Sequence, residues 1–114
     1  KQKGTWGIVG GKSSDKESPW QGLQREIVEE VGFAPTITKK IPLELFVSKD
    51  TRFKFHTFVC AVEQEFIPKL NAEHSGYAWV SVNSWPMPLH DGVKKTLRNK
   101  SIKTKLQTIL DLIV

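Results

Sequence analysis

The sequence predicts an α/β protein on three observations. Residues 19–31 carry a helix signature with its own start and stop signals, two β-prone runs joined by a short turn follow, and two amphipathic segments close the chain. Ser18-Pro19 is a helix entry, with Ser as N-cap and Pro at the first helical position, where its missing N–H goes unneeded. Trp20, Leu23, Ile27, Val28 and Val31 then recur at helical spacing and give one apolar stripe suited to packing on a sheet. Gly32 fits a left-handed C-cap, and Pro35 forbids continuation.

The run Ile37–Val47 holds β-prone residues around Pro42, with Leu43, Leu45 and Val47 alternating against Glu44 and Phe46. Ser48-Lys49-Asp50-Thr51 reads as a turn and residues 53–62 as the return strand, where Phe53, Phe55 and Thr57 alternate with Lys54, His56 and Phe58. Residues 77–82 read as a further strand, with Trp79 inside it as a core residue. Residues 91–98 and 101–113 read as helices. The second follows a Ser101 cap and lines up Ile102, Leu106, Ile109, Leu110 and Ile113 on one side. That stripe suits core packing better than a membrane surface or a partner helix.

Composition narrows the class. At 114 residues the chain is read as one domain, 1–114, large enough for a single core. The single cysteine, Cys60, excludes an intrachain disulfide and suits a reducing compartment, so the expected location is cytoplasmic. Its place in the apolar run Phe58-Val59-Cys60-Ala61-Val62 marks it as a core thiol. No apolar run approaches the ~20 residues that span a bilayer, and no signal peptide is visible, so no membrane partner is expected. Seventeen basic residues against twelve acidic ones give a net charge of +5. Five of the twelve acidic residues lie in residues 11–33, leaving a basic remainder that steers polyphosphates or an RNA 5′ end; solubility explains it nearly as well.

Residues 11–33, GKSSDKESPWQGLQREIVEEVGF, carry the chemistry. On the helix, Glu26, Glu29 and Glu30 stand at i, i+3 and i+4, so their carboxylates share one face. Three like charges repel, and a solvated acidic face is the ordinary reading of such a cluster. The glycine-rich lead-in and the fixed spacing of Gly11, Glu17, Arg25-Glu26, Glu29-Glu30 and Gly32 favour function instead. Clustered carboxylates suit hard divalent cations, which prefer oxygen ligands. Arg25, four residues before Glu29, is placed to clamp that carboxylate.

The stretch resembles the Nudix box, the signature of hydrolases that cleave nucleoside diphosphates linked to another moiety, and no position of the box is violated. The resemblance implies an α/β/α sandwich with a mixed sheet. It implies Mg²⁺ or Mn²⁺ held by Glu26, Glu29 and Glu30, with the carbonyl of Gly10 as a further ligand. Glu17 is expected to support the loop and to reach the cluster through water or through Arg25. Lys12 is a candidate phosphate contact, and equally a surface charge. Relatives carry one or two strands before the lead-in, so an N-terminal segment bearing them is expected ahead of Lys1.

Residues 70–80, LNAEHSGYAWV, resemble the E-H-x-x-Y-x-W segment of several Nudix hydrolases. There the Glu sits on a loop opposite the box helix and ligates metal or deprotonates water, which assigns those roles to Glu73, with Glu26 the other candidate base. The plainer reading of Glu73 is a loop carboxylate that caps the next element. His74 orients Glu73, contacts phosphate or does neither; His56 and His90 lack metal-ligand spacing and read as structural.

Substrate choice is open at this level. Nucleoside or dinucleoside polyphosphates come first. Behind them stand ADP-ribose or nucleotide sugars, an RNA 5′ diphosphate, and a nucleotide-sensing domain without turnover. Where ADP-ribose pyrophosphatases carry Pro, and one class of dinucleoside-polyphosphate hydrolases carries Tyr, stand Ser48 and Lys49. Trp6, Phe46, Tyr77 and Trp85 are candidates to stack on a base, Trp85 best placed for a rim. Dimers are common in the family, and the apolar C-terminal stripe leaves a homodimer open.

Overall fold

The computed structural model describes residues 4–10, 16–81 and 84–113. Their elements run α1 (Pro19–Val31), β1 (Ile37–Val47), β2 (Lys54–Val62), α2 (Asp91–Arg98) and α3 (Lys100–Ile113). Two compact units share them: Lys1–Ala34 with Glu65–Lys95, and Pro35–Gln64 with Thr96–Val114. No helix among the described residues is long and apolar enough to cross a membrane.

In the first unit, α1 starts on a reciprocal capping box. The Ser18 hydroxyl accepts the Gln21 N–H at 3.1 Å, and the Gln21 side chain accepts the Ser18 N–H at 2.9 Å. Ile27 and Val31 are buried, whereas Val28 is 46% exposed and falls off the buried stripe. Gly32 ends the helix at φ 91°, its N–H donating to the Val28 carbonyl at 2.9 Å. Two further orphan carbonyls of the last turn are met from far along the chain. Lys69 N–H donates to Val31 O at 2.6 Å, and the Asn71 side chain donates to Glu29 O at 3.1 Å. Gly32 permits that approach, because a Cβ there would lie 2.5 Å from Lys69 Cβ.

Trp6 forms an isolated parallel bridge with Leu89, donating to Pro88 O and accepting from His90 N–H, both at 2.8 Å. The Met87–Pro88 peptide bond is cis. Residues 77–81 form no strand, contrary to the sequence expectation; Val82 lies outside the described residues. β-prone side chains fit a pleated surface only where a neighbouring strand supplies one. Trp79 is held instead by its side chain: its indole N–H donates to Phe66 O at 3.0 Å, and its ring meets Phe66 edge-on at 5.0 Å. Phe66 also meets Phe33 edge-on at 5.1 Å. Trp79 is thus a half-exposed anchor rather than a core residue.

In the second unit, β1 and β2 pair antiparallel from Ile37 opposite Val62 to Val47 opposite Lys54. Pro42 faces Phe58 but Glu44 faces Thr57, so Leu43 is an extra residue on β1. Pro42 has no N–H for the ladder, which makes the neighbouring bulge inexpensive. The bulge breaks the expected alternation. Leu43 is buried, while Leu45 and Val47 turn outward. Among the described residues this antiparallel pair is the whole sheet, a part of the expected α/β architecture.

The hairpin turn places Thr51 at φ 61°, with Ser48 N–H donating to Phe53 O at 2.9 Å. The Ser48 hydroxyl and then the Arg52 N–H donate to the Asp50 carboxylate, holding it below the usual carboxylate range. α3 packs on the hairpin with Ile109 buried. Its cap is Asn99, whose side chain accepts the Ile102 N–H at 3.2 Å, rather than Ser101. Lys105 donates to Leu43 O, at the bulge, at 3.1 Å.

Candidate active site

The polar face of α1 is organised by one guanidinium. Arg25 grips Glu17 in a fork, Nε to Oε2 at 2.8 Å and Nη2 to Oε1 at 3.1 Å. Its remaining nitrogen, Nη1, donates to Glu26 Oε1 at 2.9 Å and to Glu29 Oε1 at 3.2 Å. The bond to Glu17, then those to Glu26 and Glu29, push the guanidinium even higher than its ordinary value, so its charge is permanent. The repulsion expected among these carboxylates is thereby offset. Of the two routes expected from Glu17 to the cluster, the structure shows the one through Arg25.

Glu30 is the buried member, 8% exposed. Its Oε2 accepts the Gly10 N–H at 3.3 Å, so the backbone of the glycine lead-in sits against this carboxylate. On its other oxygen, Oε1, His74 Nε2 approaches to 3.4 Å. His74, on the loop after residue 69, thus meets the box helix at Glu30.

Asn71 is the residue that sequence reasoning passed over. It sits at the centre of this junction: besides Glu29 O, its side-chain oxygen accepts the Glu73 N–H at 3.0 Å and lies 2.9 Å from His74 Nδ1. The one signal available in the sequence is an Asn two residues before Glu73, the pattern of an Asx-turn. Glu73 itself is exposed on this turn.

The structure brings Gly10, Glu17, Arg25, Glu26, Glu29 and Glu30 together on or against α1. Lys12 lies outside the described residues. Among the described residues, no three His, Cys, Asp or Glu side chains converge into a ready-made metal cage. The donor set still fits a hard cation in its chemistry, being carboxylate oxygens, one of which accepts from the Gly10 backbone N–H. Of the aromatic candidates for base stacking, Trp6 and Trp85 are half-buried and Tyr77 is exposed; Phe46 meets Phe53 at 6.2 Å within the hairpin. His90 is structural as expected, its Nδ1 accepting the Gly92 N–H at 3.0 Å where α2 begins.

One helix thus gathers its carboxylates around a clamped arginine, with the Gly10 backbone against the buried one. The NUDIX domain matches residues 1–100, and the chain belongs to the Nudix family. A search of curated proteins finds no match. Nudix hydrolases act on pyrophosphate bonds of small nucleotide substrates and generally use divalent metals such as Mg²⁺.

Proposed function

We propose that the chain is a divalent-metal-dependent pyrophosphohydrolase that cleaves a nucleoside diphosphate linked to another moiety, with nucleoside or dinucleoside polyphosphates as its substrates. The observation that carries this reading is the intact carboxylate face, Glu26, Glu29 and Glu30, with Arg25 locked beside it by Glu17. A pure nucleotide binder has no need of all three carboxylates.

Glu26, Glu29 and Glu30, with the Gly10 carbonyl and Glu73, are the ligands we assign to Mg²⁺ or Mn²⁺. When bound, such an ion neutralises phosphate charge and acidifies a water. Arg25 keeps Glu26 and Glu29 oriented. Lys12 meets a phosphate oxygen. Glu73, or Glu26 in its place, takes a proton from the attacking water. The water oxygen bonds to phosphorus as the bridging P–O bond breaks, and the electron pair leaves on the departing phosphate. Positioning and charge neutralisation supply most of the rate. The net charge of +5 supports capture of a polyphosphate, and the single cysteine supports a cytoplasmic setting.

The test is a Mg²⁺-dependent hydrolysis screen over nucleoside triphosphates, dinucleoside polyphosphates, ADP-ribose, nucleotide sugars and 5′-triphosphorylated RNA. Turnover of a polyphosphate, lost by orders of magnitude in Glu30→Gln, is the expected result. A near-normal rate in Glu30→Gln refutes the ligand assignment. Turnover confined to ADP-ribose, nucleotide sugars or RNA moves the substrate class. Silence with tight metal-dependent nucleotide binding makes the chain a sensor.

A further inference from the structure

The Asn71 side chain closes three contacts around one amide, and their polarities leave it a single orientation. Its NH₂ group donates to the Glu29 carbonyl at 3.1 Å, and its oxygen accepts the Glu73 N–H at 3.0 Å. Both partners are backbone groups of fixed polarity, so turning the amide over breaks both bonds. That same oxygen lies 2.9 Å from His74 Nδ1. An amide oxygen only accepts, so this short contact is a hydrogen bond only when Nδ1 carries the proton. In the neutral ring Nε2 is then bare, the reverse of the tautomer that free imidazole side chains prefer. Nε2 is the atom turned to Glu30, at 3.4 Å from Oε1, and a hydrogen bond from it to Glu30 belongs to the doubly protonated ring.

We infer that Asn71 is a positioning residue for the carboxylate face: it fastens the Glu73–His74 turn to the last turn of α1 and sets His74 in the Nδ1–H tautomer with Nε2 towards Glu30. The same residue satisfies an orphan carbonyl of the helix and shapes the turn, so helix end and loop hold one geometry. Outer partners of this kind orient the groups that touch a metal or substrate and change metal affinity or activity by about 10- to 100-fold when removed. The catalytic consequence rests on the pyrophosphohydrolase reading; the tautomer does not.

Two readouts on the full chain test this. The first is long-range ¹H–¹⁵N correlation of the histidine rings in metal-free protein, which reports which ring nitrogen carries the proton. Wild type should show the His74 proton on Nδ1, and Asn71→Ala should return it to Nε2. Asn71→Asp keeps the accepting oxygens, so it should retain the Nδ1 proton while losing only the bond to Glu29 O. The second readout is steady-state kinetics beside Glu30→Gln. Asn71→Ala should lower kcat about 10- to 100-fold with KM little changed, and Asn71→Asp should restore part of it.

A wild-type His74 protonated on Nε2 overturns the inference whatever the activities, and needs no variant that folds. Wild-type kcat in Asn71→Ala, beside an inactive Glu30→Gln, overturns it too. If Glu30→Gln stays active the metal-ligand assignment falls, and if the wild type turns over no substrate the pyrophosphohydrolase reading falls; in both cases the tautomer alone decides for or against Asn71.

Discussion

Gly32→Ala is a small change with a large expected effect, because two independent terms oppose it. At φ 91° an L side chain sits in the left-handed region, which costs about 1–2 kcal/mol. The new methyl would also lie 2.5 Å from Lys69 Cβ, 2.8 Å from Lys69 O and 3.3 Å from Lys69 Cα. Two of these are main-chain atoms, so a rotamer change cannot relieve the clash and the segment itself must move. Overpacking of that kind costs about 1–3 kcal/mol. Reduced freedom of the unfolded chain returns only about 0.4–1 kcal/mol. The net expectation is a loss of about 2–4 kcal/mol, a fall in Tm on the order of 10–20 °C for a domain near this size.

Urea unfolding followed by tryptophan fluorescence and far-ultraviolet circular dichroism measures it. Gly76→Ala is the control, since a methyl there meets nothing within 4 Å, and should stay within about 0.5 kcal/mol of wild type. The displaced segment carries Lys69 N–H away from Val31 O and pulls on Asn71, so kcat should fall as well. If Gly32→Ala is as stable as Gly76→Ala, residues 32 and 69 are not in the close contact described, and the capping of α1 by the distant segment goes with it.

Ile109→Ala removes the most buried side chain of α3 and should cost about 2–4 kcal/mol with an unchanged urea m-value; a loss under about 1 kcal/mol would mean that α3 is not anchored on the hairpin through this residue. Burial pushes the Cys60 thiol up, with Lys40 partly offsetting it, so iodoacetamide should alkylate it more slowly than free cysteine at neutral pH. The folded thiol ionises at a higher pH than the unfolded one. Its contribution is therefore full below the unfolded thiol's pKa and is lost as pH rises through the folded value, a fall in the urea midpoint that Cys60→Ala should lack.

What the sequence made legible was what neighbours in the chain decide. Ser18, Pro19, Gln21 and Gly32 act within a few residues of one another, and α1 starts and stops where they direct. The hairpin is equally local, its turn closed by Ser48, Asp50 and Arg52. The departures arise where a distant partner or a competing neighbour decides. Pro42 has the ladder defect written into its ring, yet only the pairing shows that Leu43 absorbs it. Asn99 outcompetes Ser101 as the α3 cap from two residues upstream. Residues 77–81 have strand-like composition, but Trp79 spends its indole on Phe66 O instead. At the site, helical spacing put Arg25 within reach of Glu26 and Glu29, and both contacts are present. The carbonyl that Asn71 serves is 42 residues away, a distance no local pattern spans.

That separation has a consequence for the order of assembly. Closing a loop of 42 residues costs about 3 kcal/mol in chain entropy before any contact compensates it. A chain with only local structure therefore has α1 with a ragged end and the Glu73 turn unattached. The two are joined when Lys69 and Asn71 reach the last turn. The C-terminal turn of α1 and residues 69–74 form one cooperative patch by this account, opening and closing together while the Ser18 end of the same helix stays intact. Partly folded chains would hold the acidic face of α1 before residues 69–74 are fastened to it.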